Sequence, residues 1–161
     1  RANSLMRLFG FIIALTLFSS FSATNNNETF DFDAFRQYYH LNDSVTSSVL
    51  SNKVILVEFW ASWCQPCRVK NSELNAIYAK YKNRNFEIIS VALDTDSLRW
   101  RKAIRNDDLG WPTQVRDTAK WNSAFLKQAE VYYLPNNVLV DQHGKVLGRE
   151  VDTEDLETLF N

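Results

Sequence analysis

Cys64 and Cys67 are the only thiols in a chain of 161 residues. Separated by Gln65 and Pro66, they would share one turn of a helix, close enough for a disulfide to form and open with little backbone movement. The chemistry on offer is reversible dithiol–disulfide exchange. The apolar run Val54 to Trp60 lies just upstream, so Cys64 stands where a strand passes into a helix. The unpaired N–H groups and dipole at a helix N-terminus favour an anion and lower a thiol pKa. Cys64 is therefore read as the nucleophile. Cys67, one turn further in and better shielded, suits the resolving thiol that attacks a mixed disulfide and frees the reduced substrate. Pro66 fits the first turn, where a missing N–H costs no helical bond.

Two blander uses of the pair are weaker. Half a zinc site would need two further ligands, and besides carboxylates only His40 and His143 are available. A purely structural disulfide across so short a loop would restrict the unfolded chain very little.

The run from Val54 to Trp60 is apolar at every position but Glu58, the pattern of a strand buried on both faces. A carboxylate in such a strand is costly unless partnered, and burial raises its pKa. Glu58 is thus a candidate proton acceptor for Cys67, against the alternatives of a structural ion pair or a solvated rim position. Trp63, directly before the nucleophile, offers an apolar contact surface for substrate, or plain packing. Arg68 is read as a solvated charge, with an electrostatic effect on a thiol as the alternative.

The segment VILVEFWASWCQPC, residues 54–67, resembles the active-site signature of the thioredoxin superfamily. Its WASWCxPC form is most similar to the TlpA/ResA-like extracytoplasmic branch, and a looser similarity runs from Lys53 to the C-terminus. The resemblance implies an α/β thioredoxin fold, with a central mixed sheet, parallel plus a C-terminal antiparallel hairpin, flanked by helices. It implies a redox-active Cys64–Cys67 disulfide with no other cofactor and no metal, with Trp60 and Pro66 completing the motif. Glu58 falls where thioredoxins place a proton-accepting aspartate near the resolving cysteine. Pro135 falls at a cis-proline that packs against the cysteines, and Leu134 at the residue whose backbone meets a bound peptide. Tyr132-Tyr133-Leu134 is bulkier than the small residues common there.

Other elements must hold these residues. Leu74, Ile77, Tyr78 and Tyr81 recur at helical spacing in the stretch from Val69. Phe86 to Leu93 reads as a second buried strand, and Asp94 or Asp96 as the N-cap of a crossover helix reaching Arg105. Strand, helix, strand, helix favours parallel pairing with right-handed crossovers. Gly110-Trp111-Pro112 breaks the chain, and Trp121 to Glu130 suggests another helix. Asn136 to Val140, the turn Asp141 to Gly144 and Lys145 to Val151 read as a hairpin, with His143 in the turn. Asp152 caps a closing helix. The aromatics Phe30, Phe32, Phe35, Tyr38 and Tyr39 fit a strand or a helix and are read as core or docking surface, and Asn42 to Asn52 as a loop.

Hydrophobic residues make up 45% of the chain, and 18 basic residues against 19 acidic give a net charge of −1. That composition suits one globular domain and gives no electrostatic footprint for nucleic acid. Arg7, the apolar run Leu8 to Phe18 and the small residues to Ala23 read as a signal peptide over residues 1–23, an N-terminal anchor being the alternative. Residues 24–29 then form a linker, and 30–161 the thioredoxin-like domain.

The expected function is that of a monomeric thiol–disulfide oxidoreductase in cell redox homeostasis, exported to the periplasm, reducing disulfides of substrate proteins. An upstream thiol donor, membrane-bound in one version, would resupply electrons, because such compartments oxidise thiols. The rivals are a disulfide-forming oxidase, a peroxidase of the peroxiredoxin type and a non-catalytic binding module.

Overall fold

The computed structural model describes residues 28–41 and 50–161. The expected signal segment lies outside the described residues. In chain order the regular elements are α1 (Phe32–Tyr38), β1 (Val54–Trp60), α2 (Gln65–Tyr81), β2 (Phe86–Ala92), α3 (Ser97–Asn106), β3 (Thr113–Arg116), a 3-10 turn (Lys120–Asn122), α4 (Ala124–Gln128), β4 (Asn136–Val140), β5 (Val146–Arg149) and α5 (Thr153–Phe160). Five strands form one sheet in the order β3-β2-β1-β4-β5. β1, β2 and β3 are parallel, while β4 runs antiparallel to β1 and β5 antiparallel to β4. This is the thioredoxin fold, with β1, apolar at every position but Glu58, at the centre.

Burial explains the placement. Every residue of β2 is buried, as is every residue of β1 after Val54, so helices must cover both faces of the sheet. α2 and α5 lie on one face, where Phe160 meets the rings of Tyr81 and Phe86, each at 5.2 Å between centroids. On the other, Phe125 of α4 gathers Phe30, Phe35 and Tyr39 within 5.2–5.6 Å. Of the N-terminal aromatics, Phe35 on the short helix capped by Asp31 and Phe30 just before it are core, Phe32 and Tyr39 pack against them half-buried, and Tyr38 is exposed. Phe59 points to this side and stacks on Phe125. Strand alternation then turns its neighbour Glu58 to the α2 face.

Several readings need adjustment. α3 is capped by Asp96, whose carboxylate accepts from Leu98 and Arg99 N–H, and Asp94 is engaged elsewhere. The expected helix over Trp121 to Glu130 is a 3-10 turn followed by the shorter α4, which Ser123 caps. β3 has no counterpart in the sequence reading. It has four residues and buries alternate ones, too few to register as a period.

The hairpin between β4 and β5 turns on Gly144, at φ 84, where a Cβ would stand 2.2 Å from Phe30 O. Only glycine fits there. Glu28 and Thr29, at the end of the expected linker, lie along β5: Val146 N–H donates to Glu28 O at 3.0 Å, and Thr29 bridges Lys145. Asn137 of β4 fastens the chain ahead of α5, donating to Val151 O and accepting from Val151 N–H at 2.9 and 2.8 Å.

Candidate active site

The Cys64–Cys67 pair is closed as a disulfide, with Cα atoms 5.3 Å apart. Cys64 is the N-cap of α2, and its Sγ accepts the Cys67 N–H at 3.3 Å. A backbone donor at a helix N-terminus thus points at the Cys64 sulfur, the arrangement that stabilises a thiolate there. Pro66 occupies the first turn as expected. Cys64 keeps slight exposure, whereas Cys67 has none.

The loop between β1 and α2 is anchored on the end of β2. Trp60 O accepts from Leu93 N–H at 2.8 Å. Buried Asp94 accepts from both Ser62 N–H and Ser62 Oγ, at 2.8 and 2.7 Å. The Trp63 indole donates to Leu93 O at 3.2 Å, yet the residue is 55% exposed. Fixed by its nitrogen and largely exposed, Trp63 is presented as a surface next to Cys64.

Arg68 is not the solvated charge expected. Its guanidinium forks onto both carboxylate oxygens of Asp107, the C-cap of α3, and also donates to Ser62 O. The sequence hid this partner 39 residues away.

Glu58 is 1% exposed, which excludes the rim reading. Oε2 accepts from Ser90 Oγ at 2.7 Å, and Oε1 has no partner among the described residues. Burial pushes its pKa up to about 7, against the opposing pull of the Ser90 bond and the Lys70 charge, with Asp107 adding slightly to the rise. A carboxyl tuned to that range can both take and return a proton near neutrality. Ser90 and Trp111 were not singled out from sequence as parts of this site; a serine within an all-buried strand was the available signal.

The Leu134–Pro135 peptide bond is cis. Asn136 pairs with Phe59 across β1 and β4, so Pro135, one residue earlier, comes beside Trp60 at the strand end that leads to Cys64. Leu134 and Pro135 are half-buried, and Tyr132 and Tyr133 are exposed. His143 sits in the hairpin turn, where its N–H donates to Asp141 Oδ1.

A family model for thioredoxin-like proteins matches residues 52–146, more than half of the chain. The chain belongs to the thioredoxin-like family. Among its relatives, the thiol-disulfide oxidoreductase ResA of Bacillus cereus is 28% identical over 110 residues, covering 68% of this chain and 61% of that protein. ResA of Bacillus thuringiensis subsp. konkukian is 30% identical over 95 residues, covering 59% and 53%. This thioredoxin-like chain therefore spans less than two thirds of the length of the curated relatives it matches. Among solved structures, a thiol-disulfide oxidoreductase from Bacteroides fragilis shares 38% identity at a TM-score of 0.62, covering 67% of this chain and 79% of that one. The thioredoxin domain of a thiol-disulfide oxidoreductase from Bacteroides vulgatus shares 30% at 0.63, covering 71% and 84%.

Proposed function

We propose that this thioredoxin-like protein is a thiol–disulfide oxidoreductase that reduces disulfides of substrate proteins outside the cytoplasm. The observation that carries the reading is the Cys64–Cys67 pair at the start of α2, one sulfur facing a backbone donor and the other fully enclosed, on the same face of the sheet as the buried acid Glu58. The relatives' names as thiol-disulfide oxidoreductases support it.

In the reduced protein the Cys64 thiolate, its proton already lost to solvent, attacks one sulfur of a substrate disulfide. That S–S bond breaks, and the first substrate sulfur leaves as a thiolate that takes a proton from solvent. Cys67 gives its proton to Glu58 and attacks Cys64 Sγ, forming the intramolecular disulfide and expelling the second substrate thiolate. Two electrons have passed from the dithiol to the substrate. The pair is its own redox group, so no further cofactor is required. Trp63 and the backbone at Leu134 and Pro135 flank the reacting sulfurs and receive the substrate peptide.

The apolar segment before Ala23 is the argument for export, and a thiol donor at the membrane would restore the dithiol. Among the described residues no helix is long and apolar enough to cross a membrane.

The deciding experiment is the equilibrium reduction potential of Cys64–Cys67, titrated in thiol–disulfide buffers and read by alkylation. A value near ~−270 mV supports a reductase, and one near ~−120 mV a disulfide donor. Absence of a two-electron transition would end the enzymatic reading.

A further inference from the structure

Three buried side chains on the α2 side of the sheet form one hydrogen-bonded row. Trp111 Nε1–H donates to Ser90 Oγ at 2.7 Å, and Ser90 Oγ donates to Glu58 Oε2 at 2.7 Å. The direction of the row follows from its first member. An indole nitrogen can only donate, so Ser90 must accept there, and its single hydroxyl proton is left for Glu58. Oε2 is therefore held as an acceptor whether the carboxyl is charged or neutral. When Glu58 takes a proton, that proton belongs on Oε1, the buried oxygen with no partner.

We propose that Ser90 and Trp111 are positioning residues for the exchange reaction: they pin Oε2 as an acceptor and make Oε1 the single atom of Glu58 that accepts the Cys67 proton and returns it. This rests on the role proposed for Glu58 and adds which oxygen acts and what selects it. The other groups facing Glu58 do not set this polarity. Lys70 of α2 and Asp107 at the end of α3 act on it through charge alone, and on the β4 side its register neighbour Asn137 is neutral and committed to Val151.

Removing the Ser90 hydroxyl takes away the donor that favours the carboxylate, so Glu58 holds its proton to higher pH. The step to watch is the second one. A mixed disulfide is preformed between Cys64 of the full chain and a thiol-coupled peptide carrying a chromophore, and peptide release by Cys67 is followed across pH 5 to 9. Ser90→Ala is expected to move the midpoint of release upward by about one unit, a roughly tenfold slower release below the midpoint. Attack of Cys64 on the peptide disulfide should keep its pH profile. Ser90→Thr, which keeps the hydroxyl, should restore the original midpoint. Ser90→Ala/Trp111→Phe removes the orphaned indole N–H together with the hydroxyl, and gives the same reading should the single variant fail to fold. If Glu58→Gln leaves the release profile unchanged, the role of Glu58 itself fails. If Glu58→Gln abolishes the midpoint while neither Ser90→Ala nor the double variant moves it, or if Ser90→Thr behaves as Ser90→Ala, the positioning inference is overturned and the role of Glu58 stands.

Discussion

Arg68, the residue after Cys67, and Asp107, the C-cap of the neighbouring helix, form a forked ion pair in which each carboxylate oxygen takes one guanidinium N–H. Asn71 adds a bond to the same carboxylate at 3.1 Å, and Arg68 reaches Ser62 O at 3.3 Å. The first turn of α2, the end of α3 and the loop before Cys64 are thereby fastened at one point. Asp107→Ala should cost about 2 kcal/mol in urea unfolding, a figure reduced for partial exposure of the pair. Arg68→Lys, which keeps the charge and loses the fork, should cost roughly 1 kcal/mol. Equal stability of Asp107→Ala and the parent would remove the fastening from the account.

Glu58 makes stability depend on pH. Its folded pKa of about 7 lies above the ordinary 4.5, so the folded protein holds an extra proton between those values and loses stability as pH rises through that window. The full cost of the buried charge, on the order of 3 kcal/mol, is present only above the window. Glu58→Gln should therefore match the parent near pH 4 and exceed it at pH 8 in thermal unfolding. A parent whose stability rises from pH 4.5 to 7, with Glu58→Gln following it, would contradict this.

The two cysteines should fail differently. Cys64→Ser is expected to abolish turnover of a protein disulfide. Cys67→Ser should instead accumulate a mixed disulfide through Cys64, visible as a covalent adduct on non-reducing gels and lost on adding thiol. Turnover surviving in Cys64→Ser would reverse the assignment.

Trp63 should matter for large substrates. Its face is open and its nitrogen is fixed to Leu93 O, so Trp63→Ala is expected to lower kcat/KM about tenfold for a protein disulfide, the loss of one well-placed aromatic contact. Reduction of a small disulfide reagent should change by less than half that factor. An equal loss on both would indicate a disturbed loop instead of a lost contact.

Asn137 tests the fold away from the chemistry. Its side chain satisfies both backbone groups of buried Val151, and Asn137→Ala would leave an N–H and a carbonyl there without partners. The expected loss is about 2–3 kcal/mol, with the reduction potential of the cysteine pair unchanged.

How far the sequence disclosed this protein depended on distance along the chain. β1, α2 and the two cysteines were legible together because their signals are contiguous: an apolar run, a proline at the right place and helical spacing after it. The β4–β5 hairpin was legible from Asp141 to Gly144 for the same reason. What stayed hidden was partnership between remote segments. Asp94 and Asp96 are equal candidates for the cap of α3 in the sequence, and the use Asp94 has, holding Ser62 from 32 residues away, has no local signature. Arg68 has no acidic neighbour in its own turn, and its partner Asp107 reaches it only through the placement of α3. Glu58 drew notice as a charge in an apolar strand, whereas the hydroxyl and indole that orient it lie on β2 and in the approach to β3.

The two outermost strands, β3 and β5, have four residues each, and Thr29 already occupies part of the outer side of β5. Another polypeptide seeking to add itself as a sixth strand finds only a short row of free ladder groups at either boundary. For a thiol–disulfide oxidoreductase acting on protein substrates, the function proposed above, such edges resist being joined to a substrate by main-chain pairing. Under that proposal, contact with a substrate falls instead at the centre of the sheet, at the C-terminal end of β1, where the bond that forms would be a disulfide with Cys64 that Cys67 can undo.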